Sequence, residues 1–197
     1  MGKIFYIMGK SSSGKDTVFQ ELLGREELGL KRIVLYTTRP KRSKETEGME
    51  YHFVNEEDLE QFQKNGKVIE LRAYHTVQGI WKYFTVDDEN LDLENFSYLA
   101  IGTLVSYEKM KQYFGSGLLL PIYIEVADEV RLERALIREK KQERPDYNEL
   151  CRRFLADSED FSEQNLRAAG IDRRFQNNGD RSLCISAIAA FIKENLS

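Results

Sequence analysis

Short apolar runs alternate along the chain with longer segments that carry one apolar face. Such alternation is typical of strands joined by helices, and it predicts an α/β fold with a parallel sheet covered on both faces. The runs that predict core strands are residues 3–8, 32–36, 96–101, 118–126 and 173–176. The segments that predict helices are residues 15–24, 56–65, 87–95, 103–114, 128–139, 147–169 and 181–196.

The stretch 37–86 departs from this alternation. It begins with a polar, basic segment at 37–48 and continues with short aromatic-rich strands, at 51–54, at 67–71 and on to about residue 86. We expect one domain over 1–197, with a core formed by 1–36 and 87–197 and a small mixed lobe formed by 37–86. Ligands of open parallel sheets bind at the carboxyl ends of the strands, so the site should lie there.

The first apolar run leads into a glycine-rich turn with the spacing Gly-x4-Gly-Lys, followed at once by a predicted helix. This spacing in this context is the phosphate-binding loop, whose backbone N–H groups and helix N-terminus face phosphate oxygens. Lys15 adds a full positive charge for the β- and γ-phosphates of a nucleotide. The loop residues are Gly9, Lys10, Ser11, Ser12, Ser13, Gly14, Lys15, Asp16 and Thr17.

The position after the loop lysine departs from the usual motif, which has a serine or threonine that binds Mg²⁺. Here it is Asp16, with Thr17 next. A carboxylate is also a good Mg²⁺ ligand. Asp16 is therefore either a metal ligand, with Thr17 as the other candidate, or an acidic first-turn residue that the helix dipole favours.

Composition and charge narrow the class of protein. The formal net charge is −4, which argues against a general nucleic-acid binder. No apolar run approaches the roughly 20 residues that span a membrane, and no signal-peptide pattern is present. The two cysteines match no metal or redox spacing, so we expect free thiols and a cytoplasmic protein.

Residues in the lobe predict an acceptor site that holds a phosphate and a base. Arg39 and Arg42 flank Lys41 directly after a predicted strand, and arginine forks suit a phosphate monoester. Tyr51 and Tyr83 could add hydroxyl donors. Glu70 follows an apolar pair, and its carboxylate could accept the N1–H and 2-amino groups of guanine, which adenine lacks.

Arginines near the predicted helix 128–139 form a further group. Arg131, Arg134 and Arg138 share one helical face, and Arg153 follows the charged segment 140–145. Phosphoryl transfer needs positive charge around the transferred group and exclusion of water. These residues therefore predict a helical lid at about 138–153.

With these motifs together, the sequence resembles the guanylate kinase family, the P-loop kinases that phosphorylate GMP. The run Thr37-Thr38-Arg39-Pro40-Lys41-Arg42, with Glu45, Gly48 and 51–54, is similar to the GMP-binding signature of that family. The resemblance implies a P-loop kinase fold with an inserted acceptor-binding lobe and a helical lid, and it implies ATP and Mg²⁺ as cofactors. It implies that Arg39, Arg42, Tyr51, Glu70, Tyr83 and Thr85 bind GMP or dGMP, that Asn177 lies near ATP, and that Lys15, Arg39, Arg134, Arg138 and Arg153 serve catalysis.

Three departures from the family pattern keep the acceptor open. A serine that helps to read the base is replaced at Leu35–Tyr36, two aspartates are replaced by Ala100 and Gly102, and a glycine is replaced by Phe84. One alternative is a related kinase that acts on another phosphorylated acceptor, such as a ribose bisphosphate. A second alternative is a non-catalytic domain of the same fold, which would usually have lost the phosphate loop.

Overall fold

The computed structural model describes residues 1–43, 45–76, 79–88 and 90–196. Its strands are β1 (Ile4–Met8), β2 (Leu30–Arg32), β3 (Leu35–Thr37), β4 (Tyr51–Phe53), β5 (Val68–Thr76), β6 (Gly79–Val86), β7 (Ser97–Gly102), β8 (Leu119–Glu125) and β9 (Arg174–Gln176). Its helices are α1 (Lys15–Leu23), α2 (Glu56–Lys64), α3 (Leu104–Phe114), α4 (Asp128–Glu139), α5 (Tyr147–Asp160), α6 (Glu163–Ala168) and α7 (Arg181–Leu196). Parts of the predicted segments lie outside the described residues, namely Lys44, Val77, Gln78, Glu89 and Ser197.

The core is a five-stranded parallel sheet in the order β2-β7-β1-β8-β9. Successive side chains of a strand point to opposite faces, so β1 serves two apolar cores. Phe5 and Ile7 pack with α1 and α7 on one face. Ile4, Tyr6 and Met8 pack with α3 on the other. The fold class is therefore α/β, with a parallel sheet between helical layers, as the alternation predicts.

A second sheet of four strands, in the order β4-β3-β6-β5, forms within the stretch expected to be a lobe. Its small core joins Tyr36, Phe84 and Val86 to Leu59 of α2. Asn55 caps α2 through a capping box with Asp58. Because β3 lies directly after β2 in the chain, the second sheet starts beside the core sheet and faces the ends of its strands.

The predicted single strand at 32–36 is wrong, because this stretch is divided between the two sheets. Residues up to Arg32 pair with β7, and the Ile33 N–H still donates to the Leu99 carbonyl. From Leu35 the chain pairs with β4 instead, and from Tyr36 also with β6. The apolar run contains no glycine or proline to mark the change, so its composition could not show that two sheets share it.

The predicted helix at 87–95 is absent from the described part of that stretch. Asp88 accepts from the Asn90 N–H, and Asp92 accepts from the N–H groups of Glu94 and Asn95. Short acidic side chains that bond to nearby N–H groups offer the backbone an alternative to the helix. The chain therefore forms turns here.

The predicted helix at 147–169 is in fact two helices. α5 ends before Phe161, and Ser162 then caps α6 by accepting from the Asn165 N–H. The Asn165 amide in turn donates to the carbonyls of Glu159 and Asp160 at the end of α5. The break turns the chain so that Phe161 packs into the core. Within the ranges described, no helix has the length and apolar character required to cross a bilayer.

The two cysteines predict a simple labelling result. Cys151 is exposed on α5, whereas Cys184 is buried and its burial raises the pKa of the thiol to about 11. The thiolate is the reactive form. At about pH 8, a chromogenic disulfide reagent should therefore titrate one thiol in the native protein and two after unfolding in guanidinium chloride. Rapid reaction of both thiols in the native protein would contradict the packing of α7.

Candidate active site

A cavity of about 780 Å³ lies between the core sheet and the second sheet. Gly9, Ser11, Lys15 and Asp16 line one part of it, at the carboxyl end of β1. The second sheet lines another part, with alternate residues of β5 and β6 on the cavity side, namely Glu70, Arg72, Tyr74, Trp81, Tyr83 and Thr85. The two predicted groups, for a donor nucleotide and for its acceptor, therefore share one cavity.

The loop between β1 and α1 has the geometry of a phosphate site. Gly14 has φ 85° and Ser12 has φ 64°, so the backbone is left-handed at both positions. Lys15 is the first residue of α1, and the Val18 N–H donates to the Gly14 carbonyl. Among the described residues, the buried hydroxyls of Ser12 and Ser13 have no hydrogen-bond partner. Left-handed loop backbone, a helix N-terminus and unpartnered hydroxyls together suit phosphate.

Asn177 is buried beneath this loop, with 2% of its surface exposed. Its Nδ2 donates to the Ser13 carbonyl at 2.8 Å, and it stands so close to Gly14 that a Cβ there would lie 2.7 Å from Nδ2. In this arrangement Asn177 fixes the loop backbone. Its expected contact with ATP stays a prediction.

Asp16 and Thr17, the candidate metal ligands, are both exposed at the start of α1, and Asp16 lines the cavity. In the described ranges, no three acidic, histidine or cysteine side chains form a metal cluster. Mg²⁺ commonly takes one or two carboxylates together with phosphate oxygens and waters. The single carboxylate of Asp16 beside the phosphate loop fits that pattern.

Arg39 is 3% exposed and is enclosed by the rings of Tyr51, Phe53 and Trp81. Its guanidinium donates to Glu45 at 2.6 Å and to the Pro40 carbonyl at 2.8 Å. The hydrogen bond that Arg39 donates to Glu45 raises the pKa of Arg39, so the group stays charged. Arg39 therefore lies behind the cavity wall rather than on it.

The other residues expected to hold the acceptor phosphate lie around Arg39. Tyr51 and Tyr83 line the cavity with ring centroids 5.4 Å apart. Arg42 has an exposed side chain, and its N–H donates to the same Glu45 carboxylate that pairs with Arg39. The structure thus brings Arg39, Tyr51 and Tyr83 together and places Arg42 at the edge of the group.

Glu70 lies in the cavity wall, as predicted, but its carboxylate already has four donors. Oε1 accepts from Thr85 at 3.1 Å and from Arg72 Nη2 at 3.2 Å. Oε2 accepts from Ser106 at 3.0 Å and from Arg72 Nε at 3.1 Å. Arg72 and Ser106 were not among the residues predicted for the site. Arg72 could have been found from the spacing, because residues two apart on a strand share a face.

The replacement of two family aspartates by Ala100 and Gly102 has a structural counterpart. A Cβ at Gly102 would overlap the hydroxyl oxygen of Tyr6 and lie 3.0 Å from its Cζ. Tyr6 is 2% exposed and lines the same end of the cavity, and burial raises the pKa of its hydroxyl. A neutral phenol therefore stands where the family pattern has a carboxylate.

Two of the expected lid arginines approach the phosphate loop. Arg138 and Arg153 line a small pocket together with Ser11 and Ser12. Arg153 donates to Glu149 at 2.7 Å within α5. Arg134 faces another way, because its guanidinium donates to the carbonyl of Asn177 at 2.9 Å. It therefore ties α4 to the segment that supports the loop.

Asp157 of α5 touches the phosphate loop, although it was not among the residues predicted for the site. It accepts from the Ser11 N–H at 2.7 Å and pairs with Arg131 Nη1 at 3.4 Å. Arg131 is 1% exposed, also pairs with Asp128, and lies 3.9 Å from the centre of the Phe154 ring. An aspartate in a charged helix carries no sequence signal for such a contact, because the contact depends on how α5 docks.

Comparison with known proteins points to one family. The guanylate kinase family model matches residues 1–79. The guanylate kinase of Mycoplasmoides gallisepticum is 36% identical over 98 residues, which are 47% of this chain and 50% of that protein. That of Anaplasma phagocytophilum is 36% identical over 129 residues, which are 64% of this chain and 60% of that protein. The matched part of the chain thus spans about half the length of these relatives.

The fold agrees with the sequence matches. A crystal structure of guanylate kinase from Anaplasma phagocytophilum superposes with a TM-score of 0.62 and covers 98% of this chain and 85% of that chain, at 22% identity. The sequence matches carry the phosphate loop and the Arg39 segment, and the structural match extends the same fold over the remaining elements. These sequence matches support membership of the guanylate kinase family.

Proposed function

We propose that the protein transfers the γ-phosphoryl group of ATP to GMP or dGMP. The observation that carries this proposal is the single cavity that joins Lys15 and the phosphate loop to Tyr51, Tyr83 and the Glu70–Arg72 pair. An oxygen of the acceptor phosphate attacks the γ-phosphorus in line, and the bond from that phosphorus to the oxygen that bridges it to the β-phosphorus breaks. The products are ADP and a nucleoside diphosphate, and no protein nucleophile is required.

At the donor end, the backbone N–H groups of residues 9–17 bind the phosphates of ATP, and Lys15 neutralises charge that develops on the transferred group. Asp16, or Thr17 as the other candidate, would hold Mg²⁺, which would supply positive charge to the phosphates of ATP. Asn177 and Arg134 support the loop from below. Arg138 and Arg153 belong to the lid at about 138–153, whose closure would exclude water.

At the acceptor end, Arg39, Arg42 and Tyr51 hold the phosphate of GMP. Tyr51 lines the cavity directly, and Arg39 reaches it if its pair with Glu45 gives way to the phosphate. Tyr83 stands beside Tyr51, and Glu70 and Thr85 stand at the base end. A phosphate dianion can displace a carboxylate from a guanidinium because both offer two oxygens to the same fork.

The two alternatives have less support. The named relatives are guanylate kinases, which does not favour a ribose bisphosphate as acceptor. The intact loop with Lys15 argues for catalysis rather than binding alone. We propose cytoplasmic function, where ATP and GMP are available and the two free thiols stay reduced. Nucleotides are the partners in this proposal, and nucleic acid and membrane are not.

The test is a coupled assay of ADP release with Mg-ATP and a panel of acceptors: GMP, dGMP, AMP, CMP, UMP and ribose 1,5-bisphosphate. We expect kcat/KM for GMP and dGMP to exceed that for AMP by about 100-fold or more, because a site that hydrogen-bonds one base leaves polar groups unpaired with another. Omission of Mg²⁺ should abolish turnover. Turnover only with the sugar, or ATP binding with no turnover on any acceptor, would contradict the proposal.

A further inference from the structure

The Glu70 carboxylate, in the described part of the chain, offers no free lone pair to the donor edge of guanine. A carboxylate has about four lone-pair positions. In Glu70 each oxygen already accepts two hydrogen bonds, from Arg72, Thr85 and Ser106, at 3.0–3.2 Å. The Glu70 side chain is 1% exposed. Guanine N1–H and the 2-amino group could reach this carboxylate only by displacing donors that are built into the fold.

Arg72 is more exposed to the cavity than Glu70 is. Its side chain is 19% exposed, against 1% for Glu70, and both residues line the cavity from the same face of β5. The described hydrogen bonds of its guanidinium are the two to Glu70, from Nε and Nη2. Its other edge, formed by Nη1 and the second Nη2 hydrogen, is left for a ligand.

The guanidinium is held in a fixed, charged form. Burial would lower the pKa of Arg72, but the Glu70 carboxylate outweighs burial, and the pKa is raised. Thr85 and Ser106 hold the carboxylate from its other side. Such a bidentate pair orients the guanidinium plane, so its outer edge is a rigid two-donor fork.

We propose that Arg72 reads the base of the acceptor by donating to two adjacent acceptors, O6 and N7 of guanine, and that Glu70 positions Arg72. An arginine fork matches this pair of guanine atoms, whereas adenine offers N7 beside a 6-amino donor. The inference rests on the proposed function for the identity of the acceptor. The base contact that the family resemblance assigns to Glu70 is thereby assigned to Arg72. This assignment agrees with the cavity wall, in which Ala100 and Gly102 offer no carboxylate to the base.

Binding of guanine analogues separates the two assignments. IMP keeps O6, N7 and N1–H but lacks the 2-amino group, and 7-deaza-GMP keeps both donors but lacks N7. Trp81 is the sole tryptophan and lines the cavity, so its fluorescence reports acceptor binding without turnover. We expect the Kd of IMP to lie within about threefold of that of GMP, and the Kd of 7-deaza-GMP to be weaker by about tenfold or more, the loss of one charged hydrogen bond.

The opposite order, with IMP weakened about tenfold or more and 7-deaza-GMP unchanged, would overturn the inference in favour of direct reading by Glu70. The proposed function fails in a different way. In that case GMP and IMP bind with the expected ranking but neither is phosphorylated in the presence of Mg-ATP. If no guanine nucleotide binds, both fail.

Arg72→Lys tests the fork itself, because lysine keeps the charge that Glu70 needs and loses the planar pair of donors. We expect Arg72→Lys to raise the Kd values of GMP and IMP by about tenfold. It should also bring the ratio of the Kd values of 7-deaza-GMP and GMP close to 1, and leave ATP binding unchanged. The matched control is Arg25→Lys, on the surface after α1, which should leave the ratio as in the wild type. An unchanged ratio in Arg72→Lys would overturn the inference even if overall affinity fell.

Discussion

Replacement of Lys15 by alanine is expected to lower kcat with GMP and Mg-ATP by about 10³-fold, with a smaller effect on the KM for GMP. Preorganised charge aimed at a transferring phosphoryl group has effects of this size. Lys15 lines the cavity at the first residue of α1, where the left-handed Gly14 turns the loop toward the same space. Steady-state kinetics by the ADP-release assay measure the effect.

The variant should fold as the wild type does. Within the part of the chain that the structure describes, no carboxylate lies at ion-pair distance from Lys15, so its removal breaks no salt bridge. The midpoint of thermal unfolding should therefore be unchanged within about 1–2 °C. Lys64→Ala, an exposed helix substitution on α2, is the matched control and should keep full activity. A Lys15→Ala enzyme with more than about a tenth of wild-type kcat would contradict the assignment of the loop.

The sequence could predict the features that depend on residues close to one another in the chain. The phosphate loop is contiguous, its flanking strand and helix are set by apolar periodicity, and Asn55 and Gly66 mark the two ends of α2. Arg39, Tyr51, Glu70, Tyr83 and Thr85 fall close together in space because β3, β4, β5 and β6 are neighbours in one sheet. Backbone hydrogen bonding of short, successive strands leaves little freedom in where such residues meet.

The features that sequence could not predict depend on packing between distant elements. Whether residues 32–36 form one strand or two is decided by Leu99 and Tyr51, each of which offers a different partner. Asp157 contacts Ser11 only because α5 docks beside the loop with Arg131 between α4 and α5. The sequence does not indicate any hydrogen-bond partner for Glu70. Only the structure shows that Arg72 and Ser106 donate to its carboxylate.

Tyr6 and Gly102 show the same dependence, and they give the second large prediction. β1 and β7 are adjacent strands in which Met8 lies opposite Gly102, and the Tyr6 ring extends along β7 toward Gly102. In Gly102→Ala, the new methyl group overlaps the phenol oxygen of Tyr6, whose side chain is 2% exposed. Overpacking of a close-packed interior costs about 1–3 kcal/mol. We expect a loss of that size in the free energy of unfolding.

The partner substitution should reverse part of this loss. Tyr6→Phe removes the overlapping oxygen, while Cζ at 3.0 Å still has to shift by a few tenths of an ångström. The double variant Tyr6→Phe/Gly102→Ala should therefore be more stable than Gly102→Ala alone, with a coupling energy of about 0.5–3 kcal/mol in a double-mutant cycle. Urea unfolding followed by circular dichroism measures each corner of the cycle.

Gly179→Ala is the matched control, because no atom lies within 4 Å of a Cβ built there and its backbone is not left-handed. It should change the free energy of unfolding by less than about 0.5 kcal/mol. If Gly102→Ala is as stable as Gly179→Ala, Tyr6 does not occupy the place of the family carboxylate. If the cycle shows the expected coupling, the Tyr6 phenol fills the space that a side chain at position 102 would need. The base end of this site is then formed partly from inside the core sheet, by a neutral phenol beside the Glu70–Arg72 pair.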